Sequence, residues 1–395
     1  MNAIELFAGA GGLALGTAAA GFRHCAVLEW DKYACETIRE NRSRGSKTVT
    51  GWPIHEQDVR TFDFTPFRGK IDLLAGGPPC QPFSIGGKAR GHADSRDMFP
   101  EVCRAVREIA PKIVLIENVK GLTRRSFSSY LSYITLQLRH PELVRSHDET
   151  WEHHLAKLEQ YHLKGKKDGL EYRLVWRLVN AADYGISQRR ERVIFVAIRS
   201  DIGRGWSFPD PTHSVDSLLY DQWVSGDYWD AHAVAKNSRI KFPVRYKTRI
   251  EKLAFLGRPD FHAWRTVRDA ISDLPSPGQR SVSREIPNHR FQPGARVYPG
   301  HTGSPLDEPA KTLKAGDHGV PGGENMLLQP NGKVRYFTVR EAARLQDFPD
   351  DYIFHGSWTE TMRQLGNAVP VGLAEIIASS LRDYLNDASK GRKIT

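Results

Sequence analysis

Cysteine is scarce in this sequence, and the spacings that cysteines adopt in metal sites do not occur. The 395 residues include four cysteines, with no CxxC pair and no His/Cys cluster of zinc-binding spacing. Isolated cysteines are typical of proteins from reducing compartments, so we expect a cytoplasmic setting and no structural metal. The four are Cys25, Cys35, Cys80 and Cys103.

Long apolar segments are absent as well. The most apolar one, Ile4–Phe22, contains Glu5 and five glycines and follows no basic residue, which argues against a secretory signal peptide. No other segment approaches the roughly 18 apolar residues that a membrane-spanning helix requires. The sequence also contains no internal repeats.

The charge balance is positive. Lys and Arg number 56 against 46 Asp and Glu, which gives a formal net charge of +10. A basic surface favours a polyanionic partner, because neutralising phosphates releases counterions. The same excess fits a merely basic protein, so charge alone leaves both interpretations open. With 40% hydrophobic and 26% charged residues, the composition is that of a globular enzyme, and the length allows two domains.

The first half of the chain alternates short apolar runs with longer mixed segments. The runs are rich in Val, Ile and Leu, as in strands covered on both faces, and helical segments fit between them. This alternation predicts a doubly wound α/β fold, which binds ligands at the carboxyl ends of its strands. The predicted strands are Ala3–Phe7, Cys25–Trp30, Ile71–Ala75, Ile113–Glu117, Tyr172–Val179 and Val193–Arg199, and the predicted helices are Ala14–Ala20, Lys32–Asn41 and Met98–Ile109.

The composition changes near Asp201. From there to about Lys333 the chain is rich in Gly, Pro, His, Trp and Tyr and weakly periodic, which indicates a second, loop-rich domain rather than disorder. Helices are predicted at Thr338–Leu345 and at about Gly372–Leu385. A helix at about Asp148–His162 carries two adjacent histidines that face different sides, so we interpret it as solvated rather than metal-binding.

A glycine-rich motif follows the first predicted strand and opens the first helix. Phe7–Ala14 satisfies the pattern G-x-G-x-x-G/A, in which bare backbone lets a ligand approach closely. Glu29 lies 20 residues after Gly9 and ends the next strand, where an acid typically binds ribose hydroxyls. The motif predicts an adenosine-containing cofactor but does not distinguish a nicotinamide enzyme from a methyltransferase.

A second motif surrounds Cys80. The strand Ile71–Ala75 runs into Gly-Gly-Pro-Pro-Cys-Gln-Pro-Phe-Ser at 76–84, where prolines stiffen the turn and glycines let the backbone approach a ligand. A cysteine held in this way beyond a strand end should be exposed and face the cofactor crevice. The other three cysteines fit the usual role of small buried hydrophobes.

Together with four further motifs, these two resemble the motifs of the DNA (cytosine-5)-methyltransferases. The six occur in the family's order, and the resemblance covers nearly the whole chain. The further four are Glu117–Val119 at the end of a strand, Gln188–Arg192 before a strand, Arg335–Asp350, and Gly366–Pro370.

The resemblance implies a Rossmann-like S-adenosylmethionine-dependent methyltransferase domain at 1–200 plus 356–395, with an inserted smaller, loop-rich target-recognition domain at 201–355. The implied reaction transfers a methyl group from S-adenosylmethionine to carbon 5 of a cytosine in a specific double-stranded DNA sequence. It proceeds through base flipping and a covalent bond between Cys80 and carbon 6. Because the sequence has no long N-terminal regulatory extension, we expect a prokaryotic or phage enzyme, with a cognate restriction endonuclease as a hypothetical partner. We also expect a cytoplasmic monomer.

Four catalytic residues follow from the resemblance. Cys80 would attack carbon 6 and so make carbon 5 nucleophilic. Glu117 would stabilise the electron density that reaches ring nitrogen 3. Arg190 and Arg192 would hold the base oxygen and orient the catalytic carboxylate. Their alternation before an apolar strand favours this role over that of a solvated charge run.

The resemblance also assigns binding residues. Glu29 would bind the ribose, Trp30 would stack near the adenine, and Asp58 would meet the adenine amino group. A basic, glycine-containing loop at 81–100 suits a lid over DNA, and Thr312 would touch the target phosphate. The cofactor residues are Phe7, Gly9, Gly11, Gly12, Glu29, Trp30, Asp58, Pro79, Asn367 and Val369, and the DNA contacts are Ser84, Lys88, Arg90, Arg96, Gln188 and Thr312.

Other enzyme classes explain fewer of these features. An NAD-dependent oxidoreductase would leave the Pro-Pro-Cys turn and Gln188–Arg192 without a role. A methyltransferase acting on amino groups would carry an aromatic residue after Pro-Pro, because it needs no covalent intermediate. An RNA cytosine-5 methyltransferase of the same family, or a non-catalytic DNA-binding relative, remains as an alternative.

Overall fold

The structure of the protein is a computed structural model that describes residues 1–79, 97–165, 169–203, 205–278, 285–299, 301–315 and 323–390. The chain divides into two compact units: Met1–Val179, Glu191–Pro209 and Ala374–Thr395 form the first, and Asn180–Arg190 and Asp210–Leu373 form the second. The predicted domains differ in placing 180–190 and 356–373 with the first part and 201–209 with the second, and their boundaries stay a prediction. No helix in the described ranges is long and apolar enough to cross a membrane.

The first unit is built on a seven-stranded sheet. The spatial order of its strands is β3-β2-β1-β4-β5-β7-β6. The five strands from β3 to β5 are parallel, and β7 runs antiparallel to β5. The strands are β1 (Asn2–Leu6), β2 (Arg23–Glu29), β3 (Ile54–Glu56), β4 (Leu73–Gly76), β5 (Ile113–Val119), β6 (Tyr172–Asn180) and β7 (Glu191–Arg199).

Apolar runs form the central strands. Residues 113–116 of β5 and 193–198 of β7 are buried throughout, as in a sheet that is covered on both faces. The six predicted strands are confirmed, with ends that differ by two residues at most. Of the strands in this sheet, β3 was not predicted, because only one of its three residues, Ile54, is apolar.

Six helices accompany this sheet in the first unit, of which the last begins three residues before the part of the chain assigned to this unit. The predictions at Ala14–Ala20, Lys32–Asn41 and Met98–Ile109 are confirmed with small shifts at their ends. The helices are α1 (Gly12–Ala19), α2 (Lys32–Ser43), α3 (Phe99–Ile109), α4 (Ser128–Arg139), α5 (Trp151–Leu163) and, later in the chain, α12 (Val371–Ser389).

The pairing of α4 with α5 corrects one sequence interpretation. His154 of α5 is buried, and its Nδ1 lies 2.9 Å from the hydroxyl of Tyr133 in α4, so this face of α5 packs rather than being solvated. Among the described residues, no group of three or more His, Cys, Asp or Glu is arranged to hold a metal ion. His154 therefore belongs to the packing between two helices.

The second unit contains more regular structure than its sequence predicts. Two of its helices, α9 and α10, begin with complete capping boxes, Thr266 with Asp269 and Thr338 with Glu341. The helices are α6 (Val215–Trp223), α7 (Asp227–Ala231), α8 (Lys247–Leu256), α9 (Val267–Ile271), α10 (Val339–Arg344) and α11 (Trp358–Asn367), and the short strands are β8 (His213–Ser214), β9 (His262–Ala263), β10 (Ser304–Pro305), β11 (Met326–Leu328) and β12 (Val334–Tyr336).

Candidate active site

One edge of the large sheet collects most of the predicted site residues of the first unit. Because β1 to β5 are parallel, their carboxyl ends meet at this edge. The antiparallel strand β7 begins at the same edge, since Arg192 pairs with Val119 at the end of β5. The topology therefore brings the glycine-rich turn, Glu29, the turn before Cys80, Glu117 and Arg192 to one side of the unit.

The turn between β1 and α1 has an unusual backbone. Phe7, Gly9 and Gly11 all have positive φ angles, of 55°, 54° and 87°. A left-handed backbone is rare for a residue with a side chain such as Phe7, and such strain is typical of ligand sites. A Cβ atom built on Gly9 would meet no atom of the described residues within 4 Å, so the backbone is open to a ligand there.

Glu29 holds this turn to the end of β2. Its Oε2 accepts a hydrogen bond of 2.7 Å from the amide of Gly9, and its Oε1 accepts two of 2.8 Å from the amides of Trp30 and Asp31. Burial raises the pKa of the Glu29 carboxyl above its ordinary value, although these backbone donors lower it. The next side chain, Trp30, is 64% exposed and offers an open aromatic face.

Asp58 lies just beyond β3, beside the end of β2. It caps a short 3-10 turn by accepting 2.9 Å from the amide of Arg60, and its carboxylate forms an ion pair with the Arg60 side chain. The hydrogen bond from that guanidinium lowers the pKa of Asp58. The contact of this carboxylate with the adenine amino group stays a prediction.

The turn that leads to Cys80 packs against the end of β5. The side-chain amide of Asn118 donates 3.2 Å to the carbonyl of Pro78. A Cβ atom on Gly77 would lie 3.2 Å from Oε2 of Glu117, so glycine lets this carboxylate sit against the turn. Cys80 itself lies outside the described residues, as do Ser84, Lys88, Arg90 and Arg96.

Glu117 and Arg192 form an ion pair between β5 and β7. Oε1 of Glu117 lies 2.7 Å from Nε of Arg192, and the two side chains are 9% and 11% exposed. In the register, Glu117 pairs with Ile194, so Arg192 is its diagonal neighbour on the same face. Burial lowers the pKa of Arg192, whereas the negative charge of Glu117 and its hydrogen bond raise it.

Arg190, two residues earlier, has different partners. Its Nη1 donates a hydrogen bond of 3.2 Å to the carbonyl of Leu313. Its Nη2 donates hydrogen bonds of 2.8 Å and 2.7 Å to the carbonyls of Gly366 and Ala368. All four residues belong to the second unit, as do Asn367 and Val369. The contact with a base oxygen that the sequence predicts for Arg190 stays a prediction.

The predicted DNA contacts Gln188 and Thr312 lie beside Arg190 in the same unit. The side-chain oxygen of Gln188, which is fully buried, accepts 3.2 Å from the amide of Leu313. The hydroxyl of Thr312 donates 2.6 Å to the carbonyl of Arg189. Both side chains therefore have protein partners, and their contacts with DNA stay predictions.

Asn118 is a site residue to which sequence reasoning assigned no role. It interrupts the apolar run of β5 together with Glu117, and it is 2% exposed. Two consecutive polar residues at the end of a buried strand are the signal that could have identified it, because buried amides need hydrogen-bond partners. In the structure, the partner is the turn before Cys80.

Comparisons with known proteins agree with this architecture. A family model described as C-5 cytosine-specific DNA methylase matches residues 1–383. The Type II methyltransferase M.PspPI of Psychrobacter sp. (strain TA137) is 34% identical over 395 residues, which cover 98% of this chain and 80% of the relative. The Type II methyltransferase M.NgoMIV of Neisseria gonorrhoeae is 33% identical over 384 residues, which cover 96% of both.

The fold also has a counterpart among solved structures. The crystal structure of the S. pombe Dnmt2 methyltransferase is similar over 98% of this chain and 99% of its own, with a TM-score of 0.56 and 17% sequence identity. At this identity the likeness concerns the fold alone. It confirms the predicted α/β class with a large central sheet.

Proposed function

Because the chain belongs to the family of C-5 cytosine-specific DNA methylases and is a DNA cytosine-5 methyltransferase, we propose that it uses S-adenosylmethionine to methylate a flipped-out cytosine held covalently by Cys80. The observation that carries this proposal is the buried ion pair of Glu117 with Arg192. It lies beside the Gly-Pro-Pro turn that precedes Cys80. Addition of a nucleophile to carbon 6 requires an acid at ring nitrogen 3, and a carboxyl group held in a fixed orientation can serve as that acid.

The turn after β1 fits the adenosyl part of S-adenosylmethionine. Open space above Gly9 leaves room for the ligand, and the exposed ring of Trp30 offers a stacking surface for adenine. Glu29 accepts three backbone hydrogen bonds, and a carboxylate has about four acceptor sites, which leaves capacity for a ribose hydroxyl. When bound, this cofactor supplies the electrophilic methyl group. Phe7, Gly11, Gly12, Asp58, Pro79, Asn367 and Val369 complete the proposed set.

Covalent addition by Cys80 makes carbon 5 reactive. Its thiolate forms a bond to carbon 6, and the π electrons of the ring move towards nitrogen 3, which leaves an enamine with a nucleophilic carbon 5. After methylation, loss of the proton from carbon 5 and departure of the thiolate restore the double bond. The ring must leave the duplex first, because stacked neighbours block both of its faces.

Glu117 would stabilise the addition at nitrogen 3, and Arg192 would orient it. A carboxyl group placed at nitrogen 3 holds a proton there as electron density arrives. The short bond between Nε of Arg192 and Oε1 engages one carboxyl oxygen, and Oε2 lies on the side of Gly77. This arrangement supports an assignment in which Oε2 meets the base.

Duplex DNA is the proposed partner of this chain. The net charge of +10 suits a polyanion. We propose contacts from Ser84, Lys88, Arg90, Arg96, Gln188 and Thr312, of which Thr312 would approach the phosphate of the flipped nucleotide. The relatives are Type II methyltransferases by name, and a restriction endonuclease that shares the target is the matching hypothesis.

Gly9→Ala is expected to weaken cofactor binding at least tenfold, a loss of about 1.4 kcal/mol. The added methyl group would enter the space proposed for the cofactor, and the left-handed backbone would cost about 1–2 kcal/mol of stability. Gly69→Ala is the matched control, because Gly69 has a φ of 71° and equally open surroundings within the described chain. Calorimetric titration with S-adenosylhomocysteine measures the dissociation constant of each variant. Equal affinities would contradict the assignment of the turn.

Methylation mapping tests the function directly. The gene is expressed in a bacterial host without cytosine methylases of its own, and its plasmid is analysed by bisulfite sequencing. We expect 5-methylcytosine at one position of a short recurring sequence, and purified protein should transfer labelled methyl groups to that sequence. An unmodified plasmid from cells that contain folded protein would contradict the proposal.

A further inference from the structure

The buried guanidinium of Arg190 joins two segments that are far apart in the sequence. It is 0% exposed and donates to the carbonyls of Leu313, Gly366 and Ala368. Gly366 lies in the last turn of α11, and Ala368 is its C-terminal cap. Carbonyls at a helix C-terminus lack partners within the helix and are stabilised by a cation. One side chain thus caps α11 and binds the segment that contains Thr312.

The segment that contains Thr312 is fixed to residues 187–190 along its length. Ala310 exchanges backbone hydrogen bonds of 2.8–2.9 Å with Ser187 and Arg189, and Gln188 pairs with it as in a parallel ladder. Two side chains add bonds to this ladder: the hydroxyl of Thr312 donates to the carbonyl of Arg189, and the side-chain oxygen of Gln188 accepts from the amide of Leu313. The bond from Arg190 to Leu313 then completes it. Residues 310–313 and 187–190 therefore behave as one element.

The same segment also contacts α11 directly. A Cβ atom on Gly366 would lie 2.2 Å from the amide nitrogen of Ala315 and 2.4 Å from the carbonyl carbon of Lys314, so the two backbones are in close contact. The side chain of Asn325, which is fully buried, fixes Lys314 from another side with bonds of 3.0 Å and 2.9 Å. Residues 314 and 315 therefore pack directly against the end of α11.

We propose that Arg190 is a positioning residue that couples DNA binding at Thr312 to cofactor binding at Asn367 and Val369. Its three carbonyl acceptors flank both proposed ligand contacts, since Leu313 follows Thr312, and Gly366 and Ala368 enclose Asn367. Each ligand, by ordering its own segment, favours the arrangement that the other ligand requires. The inference rests on the proposed function, because it takes both contacts from there.

The coupling factor between the two ligands is the quantity that tests this role. Linked sites typically change each other's affinity by about 5- to 150-fold, and the effect is reciprocal. The dissociation constant of S-adenosylhomocysteine is measured by calorimetry without DNA and with a saturating duplex that contains the mapped methylation site. We expect wild-type protein to bind more tightly with DNA, with a factor in that range.

Arg190→Lys is expected to bring this factor close to one. Lysine keeps the charge, but its single ammonium group lacks the planar fork that reaches carbonyls in two segments. Arg340→Lys is the matched control, because Arg340 is also 0% exposed and also donates to three carbonyls, those of Pro287, Pro349 and Tyr352. It should keep the wild-type factor.

A second variant guards against misfolding of the first. Gln188→Met removes the acceptor for the amide of Leu313 and leaves Arg190 in place, and it should lower the factor as well. A wild-type factor of one, an unchanged factor in Arg190→Lys, or an equal loss in Arg340→Lys would each overturn the coupling role. If wild-type protein binds neither ligand, the proposed function itself fails, and the inference fails with it.

Discussion

Cys80→Ser should lower the rate of methyl transfer by at least about 10⁴-fold, as removal of a covalent nucleophile does in other enzymes. Serine is nearly isosteric, but its hydroxyl is far less acidic than a thiol and a weaker nucleophile towards carbon 6. The rate is measured with labelled S-adenosylmethionine and a duplex that contains the mapped site. Binding of DNA and of S-adenosylhomocysteine should change little, because neither depends on the thiolate.

A trapping experiment separates the covalent step from a general loss of activity. With 5-fluorocytosine at the target position, carbon 5 has no proton to lose after methylation, so the bond between the protein and carbon 6 persists. Mass spectrometry of the intact complex should show the mass of protein plus methylated DNA for wild-type protein and no adduct for Cys80→Ser. An adduct that survives the substitution would contradict the assignment of Cys80.

The remaining cysteines provide the controls. Burial raises the pKa of Cys35 and of Cys103 to about 12, so both are thiols at neutral pH and should resist alkylation by iodoacetamide. Cys25 is half-buried in β2 and is the suitable site for a matched Cys25→Ser variant. This variant should retain both the adduct and the rate. Loss of activity in Cys25→Ser would show that serine substitution alone explains the result.

The strands of the large sheet could be predicted because buried strands consist of consecutive apolar residues, which are visible in the local sequence. β5 and β7 are buried on both faces and therefore appear as continuous apolar runs. α4 could not be predicted in this way, since its Ser, Tyr, Thr and Ile residues have low helix propensity and its stability comes from packing. The short helices α7 and α9 have five residues each, too few for a periodic pattern.

In the candidate site, too, contacts between residues that are near in the sequence could be predicted better than contacts between distant residues. The spacing from Gly9 to Glu29 follows from one strand-turn-helix unit, and the hydrogen bond between them accords with the predicted motif. The partners of Arg190 and Arg192 lie far away in the sequence, 176 residues for the bond to Gly366. Two alternating arginines predict a shared role, yet β7 begins at Glu191, between them. Arg190 belongs to the second unit and Arg192 to the first. The resemblance linked the two arginines to the catalytic carboxylate, but nothing in the sequence separated the partner of Arg192 from those of Arg190.

Arg192→Met should lower kcat by about 10²- to 10³-fold, in the range of a lost general acid or of one preorganised donor at a reacting centre. Methionine fills a similar volume but leaves Glu117 without its cation and without a fixed orientation. Removing one partner of a buried pair costs about 3–5 kcal/mol of stability, so the assay temperature must lie below the unfolding transition of the variant. Single-turnover rates with saturating DNA measure the effect on chemistry alone.

Arg199→Met is the control for the loss of stability. Arg199 lies at the other end of β7, pairs with Asp201 at 2.7 Å and donates a hydrogen bond to the carbonyl of Ala110. Like Arg192, it is therefore a residue of β7 that binds a carboxylate, but its partner Asp201 is 61% exposed, and it lies away from the predicted site. We expect this variant to unfold at a lower temperature and to keep the wild-type single-turnover rate. Arg192→Lys should fall between the two, because it restores the charge without the geometry of the guanidinium. Equal rates for Arg192→Met and Arg199→Met would show that the ion pair stabilises the sheet and does not orient Glu117, and the carboxylate at nitrogen 3 would then need another partner.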